Sequence, residues 1–365
     1  MDKNELKYAL ALGLTENVGS VNAKELIKFC GSAEAVFTEK SSSLQNINGI
    51  GSLTTSSIAQ FNRFDEIEEE LSTIEKENIT PLYYKDEAYP NKLKHCTDAP
   101  LVLFKKGNIN FNKHKIVSVV GTRKATNYGK ENCAKIIEEL KDHNVIIASG
   151  LAYGIDICAH KAAIENNIPT VAVLAHGFKT IYPSAHRREA ELMQNDGALL
   201  TEFRFRTNSD RENFPKRNRI VAGMADCILV MESAAKGGSL ITAELGNSYN
   251  RDVFALPGKI GDSQSAGCNK LIKSNRAHLL ESAKDIEYIM GWDKKAPKSI
   301  QQQLFVELTS NEQIIFDILS ENGKTFIDEI SAKANMPMSQ LSVLLLNMEF
   351  SGVVKSLPGK IYSLN

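Results

Sequence analysis

The chain has 365 residues, too many for one ordinary domain, and 42% of them are hydrophobic, enough to form real cores. It contains no run of about eighteen apolar residues, which excludes a membrane-spanning helix. Its first residues lack the order of a signal peptide, so we expect a cytoplasmic protein. Its six cysteines stand far apart without a Cys-x-x-Cys pair, which favours reduced structural thiols over zinc or disulfides; we expect neither a metal nor a cofactor.

The net charge of −1 conceals a segregation of charge along the chain. Lysine and arginine number 7 against 13 acidic residues in 1–80, 32 against 24 in 81–299, and 4 against 7 in 300–365. The middle of the chain should therefore attract an acidic partner such as nucleic acid. Within it, the stretch 204–219 has six cations against Asp210 and Glu212.

Residues 1–80 are predicted to form an all-α, helix-hairpin-helix (SAM-like) domain. Two similar pieces, beginning at Asn17 and Asn48, place glycine turns before helices, a pattern that can hold a phosphate. The acidic local charge favours a structural or protein-docking role instead. Residues 81–112, which contain several tyrosines and prolines, are interpreted as an ordered connector arm.

Residues 113–291 consist of short apolar runs, rich in β-branched residues, that alternate with helical segments. This alternation predicts an α/β domain with an extended Rossmann-like, doubly wound parallel sheet. The predicted strands are 116–120, 145–148, 170–174, 198–201, 227–231 and 253–256, with helices near 128–142 and 156–166. Ligands of such sheets bind at the carboxyl ends of the strands.

Three loops after predicted strands contain glycine turns that lead into helices. They are Gly121-Thr122-Arg123 before a helix opening near Tyr128, Ser149-Gly150 through Asp156, and Lys236 through Gly238-Ser239. No Gly-x-Gly-x-x-Gly is present in the first loop, so NAD binding is not expected; Arg123 instead offers a phosphate one cation beside a helix N-terminus. Asp156 is interpreted as an N-cap rather than a catalytic acid.

The stretch from Asn213 to Gly223 is interpreted as a helix entrance with three cations and an aromatic ring, and Pro215 lies in its first turn. Cations that surround an aromatic ring are typical of a single-stranded nucleic-acid site, where stacking contributes about 1–3 kcal/mol per base. Phe214 could equally serve as a hydrophobic staple for the helix. The sequence leaves both roles open.

A linker is predicted over 292–308, followed by a winged-helix domain over 309–365. Its predicted helices are Asn311 to Ser320, Ile327 to Ala334 and Ser339 to Phe350, with a wing from Val353 to Tyr362. The third helix has no Lys or Arg, so we expect poor duplex binding and favour a protein contact or a structural role.

Taken in order over roughly 80–290, the motifs closely resemble those of the bacterial DNA-processing protein A (DprA/Smf) family. They include Gly121-Thr122-Arg123, Ser149 to Asp156, Ile181-Tyr182-Pro183, Phe214-Pro215, Arg217 to Gly223, Gly238 to Ala243 and Phe254 to Gly258. Helix-hairpin-helix and winged-helix regions also occur in that family. The resemblance implies a non-enzymatic protein that binds incoming single-stranded DNA in natural transformation, protects it and helps to load RecA.

The resemblance also implies roles for individual residues. Phosphates would be held by Arg123, by Arg217 and by the backbone near Ser149, Gly150, Gly238 and Ser239. Phe214 would contact a base, and Asn218 would organise the pocket. The path of the strand would be lined by Arg211, Lys216 and Arg219, and the same motifs contain Gly121, Thr122 and Tyr128. A homodimer is expected through Asn269 to Leu280. Ala175-His176-Gly177 departs from the family's glycine pair, so His176 is left out of the predicted site.

An enzyme is the alternative. The segment Lys236 to Glu244 resembles the glycine-rich loop of nucleotide phosphoribohydrolases of the Lonely Guy type, but it lacks the second glycine unit. Arg211 and Arg219 would have no role in such a mononucleotide site.

Overall fold

The computed structural model describes residues 2–292 and 308–365. All of the predicted linker 292–308 except its two end residues lies outside this part of the chain. Within the described residues, no helix combines the length and the apolar character needed to cross a membrane.

The N-terminal region is entirely helical, as the sequence predicts. Its helices are α1 Lys3–Leu14, α2 Ser20–Cys30, α3 Ala33–Thr38, α4 Ser41–Leu44, α5 Ser52–Ala59 and α6 Phe64–Lys76. The two glycine turns end at Gly19 and Gly51, the N-cap residues of α2 and α5. Buried leucines and isoleucines give this region a core of its own, which extends onto the first strands of the sheet.

The central sheet has nine strands. They are β1 Thr80–Tyr83, β2 Val102–Gly107, β3 Lys115–Gly121, β4 Val145–Ser149, β5 Thr170–Val173, β6 Ala198–Thr201, β7 Cys227–Glu232, β8 Asp252–Ala255 and β9 His278–Leu279. The order is β1-β2-β6-β5-β4-β3-β7-β8-β9, in which β3 to β9 are parallel and β1 and β2 form an antiparallel edge. The segment interpreted as a connector, 81–112, thus contributes strands to this edge.

Helices cover both faces of the sheet, because successive strand residues point to opposite sides and both sides are apolar. Val117 and Val119 of β3 pack with helices α8 and α9, whereas Ile116 and Val120 pack with helices α11 and α12. The helices of this domain are α7 Asn91–Lys94, α8 Asn127–Glu139, α9 Ile155–Glu165, α10 Arg187–Leu192, α11 Asn213–Gly223, α12 Gly238–Ser248, α13 Ala266–Lys273 and α14 Ala283–Met290. Short 3-10 helices lie at Phe111–Lys113, Lys141–His143 and Ser184–His186. The predicted doubly wound fold is confirmed.

The C-terminal region is a winged helix, also as predicted. It contains α15 Ser310–Asn322, β10 Thr325–Phe326, α16 Ile327–Ala334, α17 Met338–Phe350, β11 Val354–Leu357 and β12 Ile361–Leu364. The strands form a small antiparallel sheet in the order β10-β12-β11.

One arginine joins the winged helix to the central domain. Arg251, whose side chain is 2% exposed, pairs with Asp328 of α16 at 2.5 Å. The same guanidinium donates to the carbonyls of Lys92 at 2.9 Å and Gly223 at 3.0 Å. Beside it, Lys92 Nζ lies 3.7 Å from the centre of the Phe326 ring. Because Gly223 ends α11, this joint also contacts the helix that begins with the basic stretch.

Replacing Arg251 with alanine should therefore destabilise the protein. It leaves Asp328 and two carbonyls without their partner, and breaking a buried pair costs about 3–5 kcal/mol. The measurement is the free energy of unfolding in urea, followed by circular dichroism. Lys3→Ala is the control, because the side chains of the Lys3–Glu75 pair are 68% and 65% exposed and the pair should contribute less than about 1 kcal/mol. An equal loss in the two variants would contradict this role for Arg251.

Candidate nucleic-acid interface

A cavity opens over the carboxyl ends of β3, β4 and β5, where a doubly wound sheet places its ligands. The loops after β3 and β4, the end of β5 with the loop after it, and helix α11 contribute residues to its wall. The residues important for the argument below are Arg123, Tyr153, His176, Tyr182, Phe214 and Arg217. Arg123 lies far along the chain from Phe214 and Arg217, yet all three line one cavity.

Arg217 lines the cavity with a side chain that is itself buried, the residue being 6% exposed. Its Nη1 donates to the Val173 carbonyl at 2.5 Å, and its Nε donates to Asn218 Oδ1 at 3.2 Å. Burial lowers the pKa of Arg217 and raises that of Asp156, and the attraction between these two charges opposes both shifts. Asp156 is therefore the counter-ion that allows a guanidinium to lie this deep.

Gly150 separates the two charged groups. A Cβ at this position would lie 2.3 Å from Arg217 Nη1 and 2.3 Å from Asp156 Oδ2, so any side chain would displace one of them. The ring of His160 on α9 forms a hydrogen bond with the Gly150 carbonyl, with Nε2 at 2.7 Å from the oxygen, and holds this loop in place. Gly154, at φ +82°, lets the loop approach the loop after β3, since its Cβ would lie 2.1 Å from the Thr122 carbonyl.

Arg123 is exposed at the mouth of the cavity. Its guanidinium carbon lies 5.1 Å from the centre of the Phe214 ring, a cation–π contact. Within the described chain it forms no ion pair. With Arg217 it gives two positive charges against the one carboxylate of Asp156, an excess that favours an anion.

Carboxylates of the protein occupy two of the helix N-termini that the sequence offered to phosphates. At the start of α8, Glu232 accepts from the Thr126 amide at 2.8 Å and from its hydroxyl at 2.7 Å. At the start of α9, Asp156 accepts from the Ala152 amide at 3.3 Å. The sequence interpretation of Asp156 as the N-cap of α9 is wrong. Gly154 is the N-cap, and Asp156 lies in the first turn of the helix. Two of the helix starts that the sequence offered to phosphates therefore already face a carboxylate of the protein.

Several predicted residues shape the loops without lining the cavity. The Ser149 hydroxyl donates to the Val119 carbonyl at 2.6 Å, and the Thr122 hydroxyl is 3.2 Å from Gln264 Oε1. The Tyr128 hydroxyl donates to the Pro257 carbonyl at 2.7 Å. Gly121 lies against α9, where a Cβ would be 2.4 Å from Ile155 Cγ1.

The loop before α12 also stands apart from the cavity wall. Gly238 is exposed as the first residue of α12, and the Ser239 hydroxyl donates to the Ser233 hydroxyl at 2.9 Å. Neither residue lines the cavity that contains Arg123 and Arg217.

The basic stretch 204–219 is partly neutralised within the protein. Arg204 pairs with Glu66 at 3.0 Å, and Arg206 pairs with Glu69 at 2.9 Å; both partners lie on the acidic helix α6. Arg219 pairs with Glu202 and also donates to the Asp98 carbonyl. Arg217 is buried in the cavity wall. The other two cations of the stretch, Arg211 and Lys216, are exposed and form no ion pair with the part of the chain that the structure describes.

Among the polar and aromatic residues of the cavity, three were missing from the predicted site: His176, Tyr153 and Tyr182. His176 is 1% exposed; its Nδ1 donates to the Gly177 carbonyl at 2.7 Å and its Nε2 accepts from the Tyr182 amide at 3.2 Å. Burial lowers the pKa of His176, which favours the neutral ring that this arrangement requires. All three residues lie in quoted sequence motifs, but nothing in the sequence placed them beside Phe214.

The chain was compared with known proteins. A sequence model of the family described as DNA recombination-mediator protein A matches residues 80–290, and a model described as the DprA winged helix domain matches 301–360. Among curated proteins, Protein Smf of Escherichia coli is 35% identical over 297 residues, which are 80% of this chain and 79% of that protein.

The similar solved structures include two of DNA processing protein A. DNA processing protein A (DprA) of Streptococcus pneumoniae has a TM-score of 0.67 and 31% identity, over 77% of this chain and 97% of that one. DNA processing protein A of Helicobacter pylori, described for its unique single-stranded DNA binding mode, has a TM-score of 0.52 and 25% identity, over 57% and 93%. The sequence, the fold and the C-terminal domain agree, and the chain belongs to the DNA recombination-mediator protein A (DprA) family.

Proposed function

We propose that the protein binds single-stranded DNA in the cavity over β3, β4 and β5, protects it during natural transformation and helps to load RecA onto it. The observation that carries this function is an excess of guanidinium charge beside solvent-exposed aromatic rings. Phosphates of a flexible strand match the first feature, and unpaired bases match the second. No bond-breaking step is part of this function.

The relatives support the same ligand. The Helicobacter pylori structure is described by its binding of single-stranded DNA, and the family is described as a recombination mediator. We extend both properties to this chain, and RecA loading is the mediator activity that we assign to it.

Two exposed cations at the start of α11 would contact the DNA strand where it leaves the cavity. Arg211 precedes α11 and Lys216 lies in its first turn, next to the cavity residues Phe214 and Arg217. A strand whose phosphate is held by Arg123 would meet these two cations as it leaves the cavity. We do not assign Arg219 to this route, because it is paired with Glu202.

The winged helix is not proposed as a duplex reader. Helix α17 contains no Lys or Arg, and its exposed side chains include Val343, Leu346 and Phe350. A helix without cations gains little from displacing the counter-ions of DNA. We assign this domain, like the N-terminal helical region, to structural or protein contacts.

The alternative of a phosphoribohydrolase-type enzyme finds less support. Glu244, the acidic residue of the similar loop, is exposed on α12 and pairs with Arg276 at 3.4 Å. Gly238 at the start of that helix does not line the cavity either. Such an enzyme would need this loop at the nucleotide, so we favour the nucleic-acid function.

We also propose a homodimer through Asn269 to Leu280. Strand β9 lies at the edge of the central sheet, and its Leu279 is 45% exposed. An unpaired edge strand offers its backbone groups to a second copy of the same strand. Such pairing would extend the sheet from one protomer into its partner.

Salt dependence tests the DNA-binding proposal. If Arg123, Arg211, Lys216 and Arg217 meet phosphates, the slope of log affinity against log salt should be about −2.8, so a fourfold rise in salt should weaken oligo-dT binding about 50-fold. Arg123→Ala should lower affinity and reduce the slope to about −2.1. Fluorescence anisotropy at four salt concentrations measures both, with Lys3→Ala as a control that removes an exposed cation outside the cavity and outside the proposed dimer interface. A flat salt response, or a preference for a mononucleotide over the oligonucleotide, would contradict the proposal.

Leu279→Asp tests the dimer. A carboxylate at this edge would have to be buried beside its symmetry copy, so the variant should be monomeric where the unaltered protein is dimeric. Light scattering coupled to size-exclusion chromatography gives the mass. Leu53→Asp is the control, since Leu53 is 74% exposed on helix α5. A monomeric parent protein, or a dimer that persists in Leu279→Asp, would refute this interface.

A further inference from the structure

Two arginines of the basic stretch 204–219 are paired with helix α6 but remain accessible to solvent. Arg204 pairs with Glu66 at 3.0 Å, and these side chains are 33% and 43% exposed. Arg206 pairs with Glu69 at 2.9 Å, and these side chains are 67% and 61% exposed. Exposed pairs contribute little to stability, so a competing anion can take the place of either carboxylate.

The pair of Arg219 with Glu202 shows the contrast. Each of its two side chains is only 16% exposed, and Arg219 also donates to the Asp98 carbonyl. An anion from solvent could reach this guanidinium only if the surrounding residues moved. The pairs with α6 therefore differ from it in their accessibility.

Glu66 keeps a second cation when Arg204 leaves it. Arg63, the N-cap of α6, donates to both Glu66 oxygens, from Nε at 2.6 Å and from Nη2 at 2.8 Å. Hydrogen bonds from Arg63 and then Arg204 lower the pKa of Glu66 to about 2, so this carboxylate stays charged at neutral pH. Arg204 is therefore released by a competing anion rather than by protonation of Glu66.

Helix α6 does not depend on these two pairs for its attachment to the loop. The buried Glu70 carboxylate accepts from the Phe205 amide at 2.7 Å, between the two arginines. A cavity of about 240 Å³ lies between α6 and the loop, and both Arg204 and Arg206 line it. A phosphate can therefore approach the two guanidinium groups while Glu70 holds the helix in place.

The same loop adjoins the candidate DNA-binding cavity. The Gly177 amide donates to the Thr207 carbonyl at 2.9 Å, and a Cβ on Gly177 would lie 2.0 Å from the Arg204 carbonyl. His176, which precedes Gly177, lines the cavity. A strand that leaves the cavity past His176 would meet Arg204 and Arg206 next.

We propose that Arg204 and Arg206 form an additional phosphate-binding site for single-stranded DNA, and that Glu66 and Glu69 occupy it in the free protein. The proposal rests on the single-stranded DNA function and adds a contact that only a strand extending beyond the cavity makes. Carboxylates and phosphates both accept hydrogen bonds from the planar guanidinium group, so they compete for it. Helix α6 thus lowers the affinity for DNA by competition.

The test removes the competing charges and keeps the shape of the side chains. In the unaltered protein an arginine gains a phosphate only by losing a carboxylate, so the salt slope should stay near about −2.8. In Glu66→Gln/Glu69→Gln the phosphates displace no charge. For an oligo-dT of about 20 nucleotides the slope should then steepen to about −4.2, and the affinity at about 0.1 M salt should rise about tenfold or more. Fluorescence anisotropy with the full-length protein measures both.

Glu68→Gln/Glu75→Gln is the matched control. These carboxylates also lie on α6, but they pair with Lys7 and Lys3 of α1. The control therefore loses the same charge from the same helix without releasing a cation of the stretch 204–219. Its slope and affinity should equal those of the unaltered protein.

A second pair of substitutions tests whether the two arginines cause the gain. Adding Arg204→Ala and Arg206→Ala to Glu66→Gln/Glu69→Gln should return the slope to about −2.8, because the released cations are then absent. Urea unfolding followed by circular dichroism compares the stability of the variants. If the double variant is unstable, Glu66→Gln and Glu69→Gln are measured singly, and each should steepen the slope by about 0.7.

The outcomes separate failure of this proposal from failure of the proposed function. The proposal is overturned if Glu66→Gln/Glu69→Gln, or the single variants in its place, bind with the slope and affinity of the control. It is also overturned if the arginine substitutions leave the gain unchanged. Absence of oligo-dT binding by the unaltered protein and by every variant would instead refute the single-stranded DNA function itself.

Discussion

The buried charges of Arg217 and Asp156 constrain the cavity. Arg217 donates to the Val173 carbonyl, and the Asp156 carboxylate of α9 lies on the other side of Gly150 and offsets its charge. An uncompensated charge in such a position costs about 3–5 kcal/mol, so strands β4 and β5 and helices α9 and α11 must keep their relative positions. The cavity is consequently preorganised: its geometry is fixed by the protein before any ligand arrives.

The charges around this pair are distributed so that few cations stay free. Glu232 and Asp156 accept from amides at the starts of α8 and α9, Glu202 neutralises Arg219, and acidic helix α6 neutralises Arg204 and Arg206. In the stretch 204–219, the exposed Arg211 and Lys216 form no ion pair with the described residues and lie at the entrance of α11, and Arg123 lines the cavity. The acidic helix α6 thus reduces the number of unpaired cations in the stretch 204–219. The charge that remains depends on these tertiary contacts rather than on the net charge of any segment.

The fold could be predicted well from sequence because it depends on local patterns. Apolar β-branched runs such as 116–120 became buried parallel strands, and the C-terminal helices lie close to their predicted positions.

The site was harder to predict. Arg123, Phe214 and Arg217 could be identified from their motifs, but Arg219 looks as available as Lys216 until Glu202 is seen beside it. Tyr153 and Tyr182 lie in motifs that the sequence shows, but they line one cavity with Phe214 only because distant loops meet over the sheet.

Photochemical cross-linking is the most direct measurement of where the strand lies. Full-length protein would be irradiated with oligo-dT containing 5-iodouracil, and the modified peptides would be identified by mass spectrometry. The account predicts cross-links to the aromatic residues of the cavity, within the peptides that contain Tyr153, Tyr182 and Phe214. Cross-links confined to the N-terminal helical region or to α17 of the winged helix, with none in the cavity, would contradict it.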